Sequence, residues 1–201
     1  WVTKQGSHDV SVIDLATDRV IDTVAVGRSP AGVVASSSAG RVFVTNPESN
    51  DVHVIDMRTR KVVQTLAAGQ APVGIDASAD GRHLFVADWY GGRLLHFRIG
   101  QDRVEPFDAI AVGKVPAGIA ASADGSQAWV AERDDNRVAL IDVAARRVIS
   151  RVDVGEHPFA LLLDEAGGRL YALNVFSNDV SVIDTAKRRV VATVPVGKEP
   201  Y

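Results

Sequence analysis

Apolar residues along this chain alternate with polar ones over short runs; they do not recur every three or four positions. Arg41-Val42-Phe43-Val44-Thr45 and Val52-His53-Val54-Ile55-Asp56 carry the period of two that a half-buried strand requires. No segment sustains an apolar period of 3.6 between helix caps, so the pattern predicts strands throughout. Turn residues punctuate the runs, with Ser-Ala-Asp-Gly at 78–81 and 122–125 and a series of Gly-x-x-Pro corners.

Those corners repeat. They lie at Gly27–Pro30, Gly69–Pro72, Gly113–Pro116, Gly155–Pro158 and Gly197–Pro200, spaced by 42, 44, 42 and 42 residues. A second motif keeps the same phase: Trp1-Val2-Thr3-Lys4, Phe43-Val44-Thr45-Asn46, Phe85-Val86-Ala87-Asp88, Trp129-Val130-Ala131-Glu132 and Tyr171-Ala172-Leu173-Asn174. A third, Asn-Asp-Val-x-Val-Ile-Asp, is clearest at Asn50–Asp56 and Asn178–Asp184. The second copy serves as template and predicts four strands, over Ala31–Ser36, Arg41–Asn46, Val52–Asp56 and Lys61–Ala68. Pro195 falls in the fourth strand of the last copy, where a missing N–H is tolerated only at a sheet edge.

Four-stranded antiparallel units of about 40–45 residues define a β-propeller, whereas a sandwich would not repeat its sequence at a fixed period. The expected fold is therefore all-β, a single propeller domain over 1–201, with a partial blade at 1–30 and blades at about 31–72, 73–116, 117–158 and 159–200. In copy three, Arg98 to Gly113 is two residues longer than Asp56 to Gly69 in copy two, which predicts a bulged or lengthened outer hairpin around Val104-Glu105-Pro106-Phe107.

Phe43-Val44-Thr45-Asn46, Asn50–Asp56 and Ala68-Gly69-Gln70-Ala71-Pro72 carry a resemblance to the YVTN-repeat β-propeller family across the whole chain. The pattern is similar to surface-layer propellers, to lactonase-type seven-bladed propellers and to accessory propellers of quinone- or haem-dependent oxidation systems. The resemblance implies an exported protein, periplasmic or at the cell surface. It also implies a ring of seven blades, of which these 201 residues supply about five.

Composition narrows the chemistry. With 22 Lys+Arg against 25 Asp+Glu the formal charge is −3, which argues against a nucleic-acid partner, since phosphate binding needs clustered cations. The chain has no cysteine, and so no disulfide, thiolate metal site or thioether-linked haem. No stretch approaches the roughly 18–20 apolar residues of a membrane-spanning helix. No Walker loop, G-x-S-x-G, G-x-G-x-x-G or H-E-x-x-H motif occurs, and no cofactor is expected.

Candidate sites follow from how propeller loops sort into faces. The Gly-x-x-Pro corners and the loops between second and third strands open on one face, around the channel mouth. There the corners present Arg28, Lys114, Glu156 and His157, and the residues after each proline are Ala31, Val73, Ala117, Phe159 and Tyr201. Two loops depart from the repeat: Trp89-Tyr90-Gly91-Gly92 puts adjacent aromatics beside a flexible pair, and Val175-Phe176 does something similar. Exposed aromatics give large contact area at small entropic cost. His157, beside Glu156 and Phe159, is the one histidine placed for acid–base work or ligation. His53 and His96 are read as one repeat position, structural or solvent-facing. Glu132, Asp134 and Asp135 could attract a hard cation, but Arg133 and Arg137 interrupt the run.

Two functions compete on this reading. The first is a non-catalytic binding or scaffold propeller that recognises a protein or small ligand at the channel-mouth face, with Arg28, Trp89, Tyr90, Lys114, Glu156, His157, Phe159 and Phe176 as candidates. The second is a lactonase-like hydrolase, or an accessory protein of a quinone- or haem-dependent oxidation system, with its site at the same mouth. An enzyme should show acid–base or metal groups converging from several blades, and the corners offer one His and one Glu. The binding reading is therefore preferred.

Overall fold

The computed structural model describes residues 1–200. Its sheets follow the repeat. Blade 1 has three strands, β1 (Val2–Lys4), β2 (Asp9–Asp14) and β3 (Arg19–Ala25). Blade 2 has four: β4 (Val33–Ser36), β5 (Arg41–Asn46), β6 (Asp51–Asp56) and β7 (Lys61–Ala67). Blade 3 comprises β8 (Pro72–Ala77), β9 (His83–Asp88), β10 (Arg93–Ile99) and β11 (Val104–Ala111). Blade 4 comprises β12 (Pro116–Ala121), β13 (Gln127–Glu132), β14 (Arg137–Asp142) and β15 (Arg147–Asp153). Blade 5 comprises β16 (Pro158–Asp164), β17 (Arg169–Asn174), β18 (Asp179–Asp184) and β19 (Arg189–Pro195). Each is an antiparallel meander, and the fold is an all-β propeller.

The core lies in the seams between blades. Phe43, Val54 and Leu66 of blade 2 cluster with Leu84, Val86 and Phe97 of blade 3, and Phe85, Leu94 and Ile110 of blade 3 join Val130 and Ile141 of blade 4. Full burial of each such side chain contributes roughly 1.5–3 kcal/mol. Blades meet most closely at their innermost strands. A Cβ on Gly74 would sit 1.8 Å from the Ala117 carbonyl oxygen, so this position of β8 accepts only glycine.

The end of the second strand carries a polar residue in every blade, and its partner lies five residues on. The pair is Lys4–Asp9 at 2.8 Å, Asn46–Asp51 at 2.7 Å, Asp88–Arg93 at 2.6 Å and Asn174–Asp179 at 2.6 Å. In blade 4 the buried Glu132 takes Arg151 at 2.9 Å and Arg137 at 3.6 Å. The inner member is cationic in blade 1, neutral in blades 2 and 5 and anionic in blades 3 and 4, and its partner is complementary in each. A buried charge without its counter-ion would be costly.

Copy three does lengthen its outer hairpin, by the added pair Ile99↔Val104. The bulge beside it belongs to the repeat and not to the insertion, because all five blades shift register at the same place, as at Val54/Ile55 and Leu140/Ile141. The histidine reading needs a correction. His53 pairs with Val44, whereas His96 pairs with Phe85 and so occupies the place of Val54. A slip of one residue turns a side chain to the other face of a sheet. His96 is accordingly in the core, 2% exposed.

Candidate functional site

The loop face is built by a backbone device repeated at each corner. The second variable residue of each Gly-x-x-Pro corner is left-handed, with φ of 57° at Ser29, 52° at Ala71, 51° at Val115, 53° at His157 and 47° at Glu199. The last residue of each preceding loop is left-handed too, at His8, Asn50, Gly92, Asn136 and Asn178. Asn50 Oδ1 accepts from Ala71 N at 2.8 Å, Asn136 Oδ1 from His157 N at 2.9 Å and Asn178 Oδ1 from Glu199 N at 2.7 Å. In the first blade His8 Nδ1 accepts from Ser29 N at 3.1 Å. The loop of one blade thus clamps the corner that leads into the next.

Inside this ring of corners lies an open cavity of about 1200 Å³, which runs down the innermost strands past Ile75, Ile119 and Leu161. Its rim has two characters. Gln5, Arg28, Glu48 and Gln70 make a polar side, while Trp89, Tyr90 and Phe159 make an aromatic side. The Trp89 and Phe159 rings meet edge-on at 6.1 Å, joining blades 3 and 5 across the corner of blade 4. Tyr90 is 72% exposed. Arg28 is oriented by a 2.8 Å bond from its guanidinium to the Glu48 carbonyl.

The other candidates sit outboard of the cavity. His157 stacks on Phe176 at 4.1 Å, and its Nδ1 is buried without a hydrogen-bond partner. Glu156 is exposed; its N–H donates to Ser177 Oγ at 2.9 Å and its carbonyl accepts from Phe176 N. Lys114 lines a separate, smaller cavity between blades 3 and 4. Of the eight candidate side chains, the main cavity brings together Arg28, Trp89, Tyr90 and Phe159. Tyr201 lies outside the described residues.

Arg133 links the two aromatic groups and escaped the sequence reading, which treated it only as an interruption of an acidic run. Its guanidinium lies 5.7 Å from the Trp89 ring and 5.7 Å from the Phe176 ring, and it pairs with Asp134 at 2.9 Å. Cation–π attraction at such positions contributes roughly 0.5–1 kcal/mol each. The repeat held the clue: Arg133 is the first loop residue of its blade, the position of Trp89 itself. The acidic run is occupied by internal cations and backbone donors. Glu132 holds Arg151, Arg137 and Gly113 N, and Asp135 accepts from Lys114 N at 2.9 Å. Among the described residues no group of three or more His, Asp or Glu side chains could hold a metal ion.

No protein-family model matches the chain, and no curated protein sequence matches it. Solved structures do. Hydrazine synthase from Kuenenia stuttgartiensis matches at a TM-score of 0.75 with 26% identity, covering 82% of this chain and 48% of that one. A protein of unknown function from Desulfotomaculum acetoxidans matches at 0.83 with 15% identity, over 99% and 66% of the two chains. The periplasmic gluconolactonase PpgL of Pseudomonas aeruginosa matches at 0.70 with 21% identity, over 86% and 56%. The chain thus spans about half to two-thirds of the length of these structures. The last two likenesses, under 25% identity, speak to the fold alone.

Proposed function

We propose that this chain is a non-catalytic binding propeller, exported to the periplasm or cell surface, whose ligand or protein partner seats at the channel mouth. The observation that carries this reading is the aromatic side of the rim. Trp89 and Tyr90 break the repeat, with Trp89 against Phe159 from another blade, and share the cavity rim with Gln5, Arg28 and Gln70. An apolar wall with a few polar groups is the usual construction of a ligand site. The extracytoplasmic placement rests on the family resemblance and on the periplasmic neighbour from Pseudomonas.

The rim favours binding over chemistry because its titratable set is thin. Glu48 is the one carboxylate lining the cavity among the described residues, and His157 is held outside it against Phe176. A lactonase-like hydrolase is the second reading. It draws on the gluconolactonase neighbour and on His157, the one histidine of the Gly-x-x-Pro corners.

A thermal-shift panel of sugars, sugar lactones and organic acids tests the first reading. Replacing Trp89 and Tyr90 together by Ala should weaken any hit by about 2 kcal/mol or more, roughly 30-fold. An undiminished hit in that variant would remove this surface as the site. Lactone hydrolysis that falls in His157→Ala would instead establish the enzyme.

A further inference from the structure

Blade 3 breaks the clamp that every other described corner uses. Its loop ends in Gly92, where the other blades place His8, Asn50, Asn136 and Asn178. With no side chain there, the N–H of Val115 has no acceptor among the described residues, although the neighbouring N–H groups of Gly113 and Lys114 bond to Glu132 and Asp135. Where the missing side chain would lie, the structure has a cavity of about 370 Å³, lined by Gly92, Val115, Lys114, Trp89, Tyr90 and Asp134.

Sterics do not demand glycine at this position. A Cβ on Gly92 would meet only the Gly113 carbonyl oxygen, at an ordinary 3.7 Å, and its φ of 61° matches the 58° of Asn50. Asparagine is the residue type that tolerates this conformation best after glycine. Gly92 therefore leaves out an acceptor that the backbone could carry. Val115 is a second anomaly, a β-branched residue held at φ 51°. Left-handed β-branched residues are genuine outliers and gather at binding sites.

We infer that this cavity is a subsite for the carboxylate of a small molecule, whose oxygen takes the place of the absent side-chain acceptor on Val115 N–H. The Lys114 ammonium supplies the opposite charge and Trp89 and Tyr90 supply a wall for an apolar or ring body. Asp134, the one acid in the lining, is paired with Arg133. A carboxylate on a backbone N–H makes a charge-assisted hydrogen bond, stronger than the neutral Asn contact it replaces. The subsite shares its aromatic wall, Trp89 and Tyr90, with the mouth cavity, but its anion-binding groups Gly92, Val115 and Lys114 lie outside that cavity.

The test follows the Val115 amide in a ¹H–¹⁵N correlation spectrum at constant ionic strength. Phenylacetate is the main probe; acetate supplies the carboxylate alone and 2-phenylethanol the ring alone. Phenylacetate should move the Val115 amide saturably, acetate more weakly and 2-phenylethanol not at all. Gly92→Asn should weaken phenylacetate by at least about tenfold, since the new side chain fills the site and satisfies the amide. Lys114→Met should weaken it as well. No saturable response to phenylacetate in the unmodified protein, a response to 2-phenylethanol alone, or an undiminished response in Gly92→Asn would each overturn the inference. Mouth ligands that still bind Gly92→Asn would separate this subsite from the mouth.

Discussion

His96 shows how a single side chain links the seam to solution conditions. The imidazole lies between Phe85 at 4.9 Å and Phe107 at 5.1 Å, with Nε2 at 2.9 Å from His83 Nδ1. Burial draws its pKa from 6.5 down to about 4, helped by the charges of His83, Arg98 and Arg146 and opposed by Asp108. The unfolded chain takes up this proton near pH 6.5 and the folded chain only near pH 4, so stability should fall across that window as pH drops, and level off below it. The loss is on the order of 3 kcal/mol. His96→Leu, which places in blade 3 the residue type that Leu140 supplies in blade 4, should flatten the decline between pH 6.5 and 4 in thermal unfolding. An unchanged pH profile in that variant would assign the acid sensitivity elsewhere. None of this was legible in the sequence, because the degraded third motif in copy three hid the register by one residue.

Among elements, the outer hairpins reveal a latch between neighbouring blades. Arg60, at the left-handed turn position of blade 2, reaches Asp22 of β3 at 3.4 Å, and Arg146 of blade 4 reaches Asp108 of β11 at 2.9 Å. Between blades 2 and 3 the same job falls to Gln64, which bonds the backbone of Val104 in both directions at 2.7 and 2.9 Å. Blade 5 has the arginine, Arg188, but the matching position of blade 4 is Ser150, and the Arg188 side chain has no partner among the described residues. Ser150→Asp should complete the latch and stabilise the chain by about 0.5 kcal/mol, as half-exposed ion pairs do. Denaturant midpoints would register the gain, and it should vanish in Ser150→Asp combined with Arg188→Ala. The strands themselves were legible, since apolar alternation and turn chemistry agree in every copy. Their ends were less so: the first strand of blade 2 begins at Val33 and not at Ala31, because Ala31 N and Gly32 N are taken by Thr45 instead of a regular ladder. The meeting of Arg133, Trp89 and Phe176 could not be read from spacing, because it depends on how three blades stand around one axis.

Across the whole molecule, the two end blades expose faces that the repeat elsewhere buries. In blade 2, Leu66 is 5% exposed and Val34 packs against the seam, whereas their counterparts in blade 5 are Val194 at 49% and Leu162 at 66%. At the other end, Val44 is fully buried in the seam with blade 1, and its counterpart in that blade, Val2, is 46% exposed. These faces have the composition of a core and the exposure of a surface. Exposed apolar side chains on such a face drive association in water. Studied by itself, this 201-residue chain should therefore self-associate in a concentration-dependent way, which sedimentation velocity would detect. Because a seam face excludes water through shape as well as apolar area, two charges should suffice to break it. Leu162→Glu with Val194→Glu should shift the population towards monomer while leaving the inner seams unchanged. A chain already monomeric at high concentration would mean that the open faces are too shallow to pair without a blade shaped to fit them.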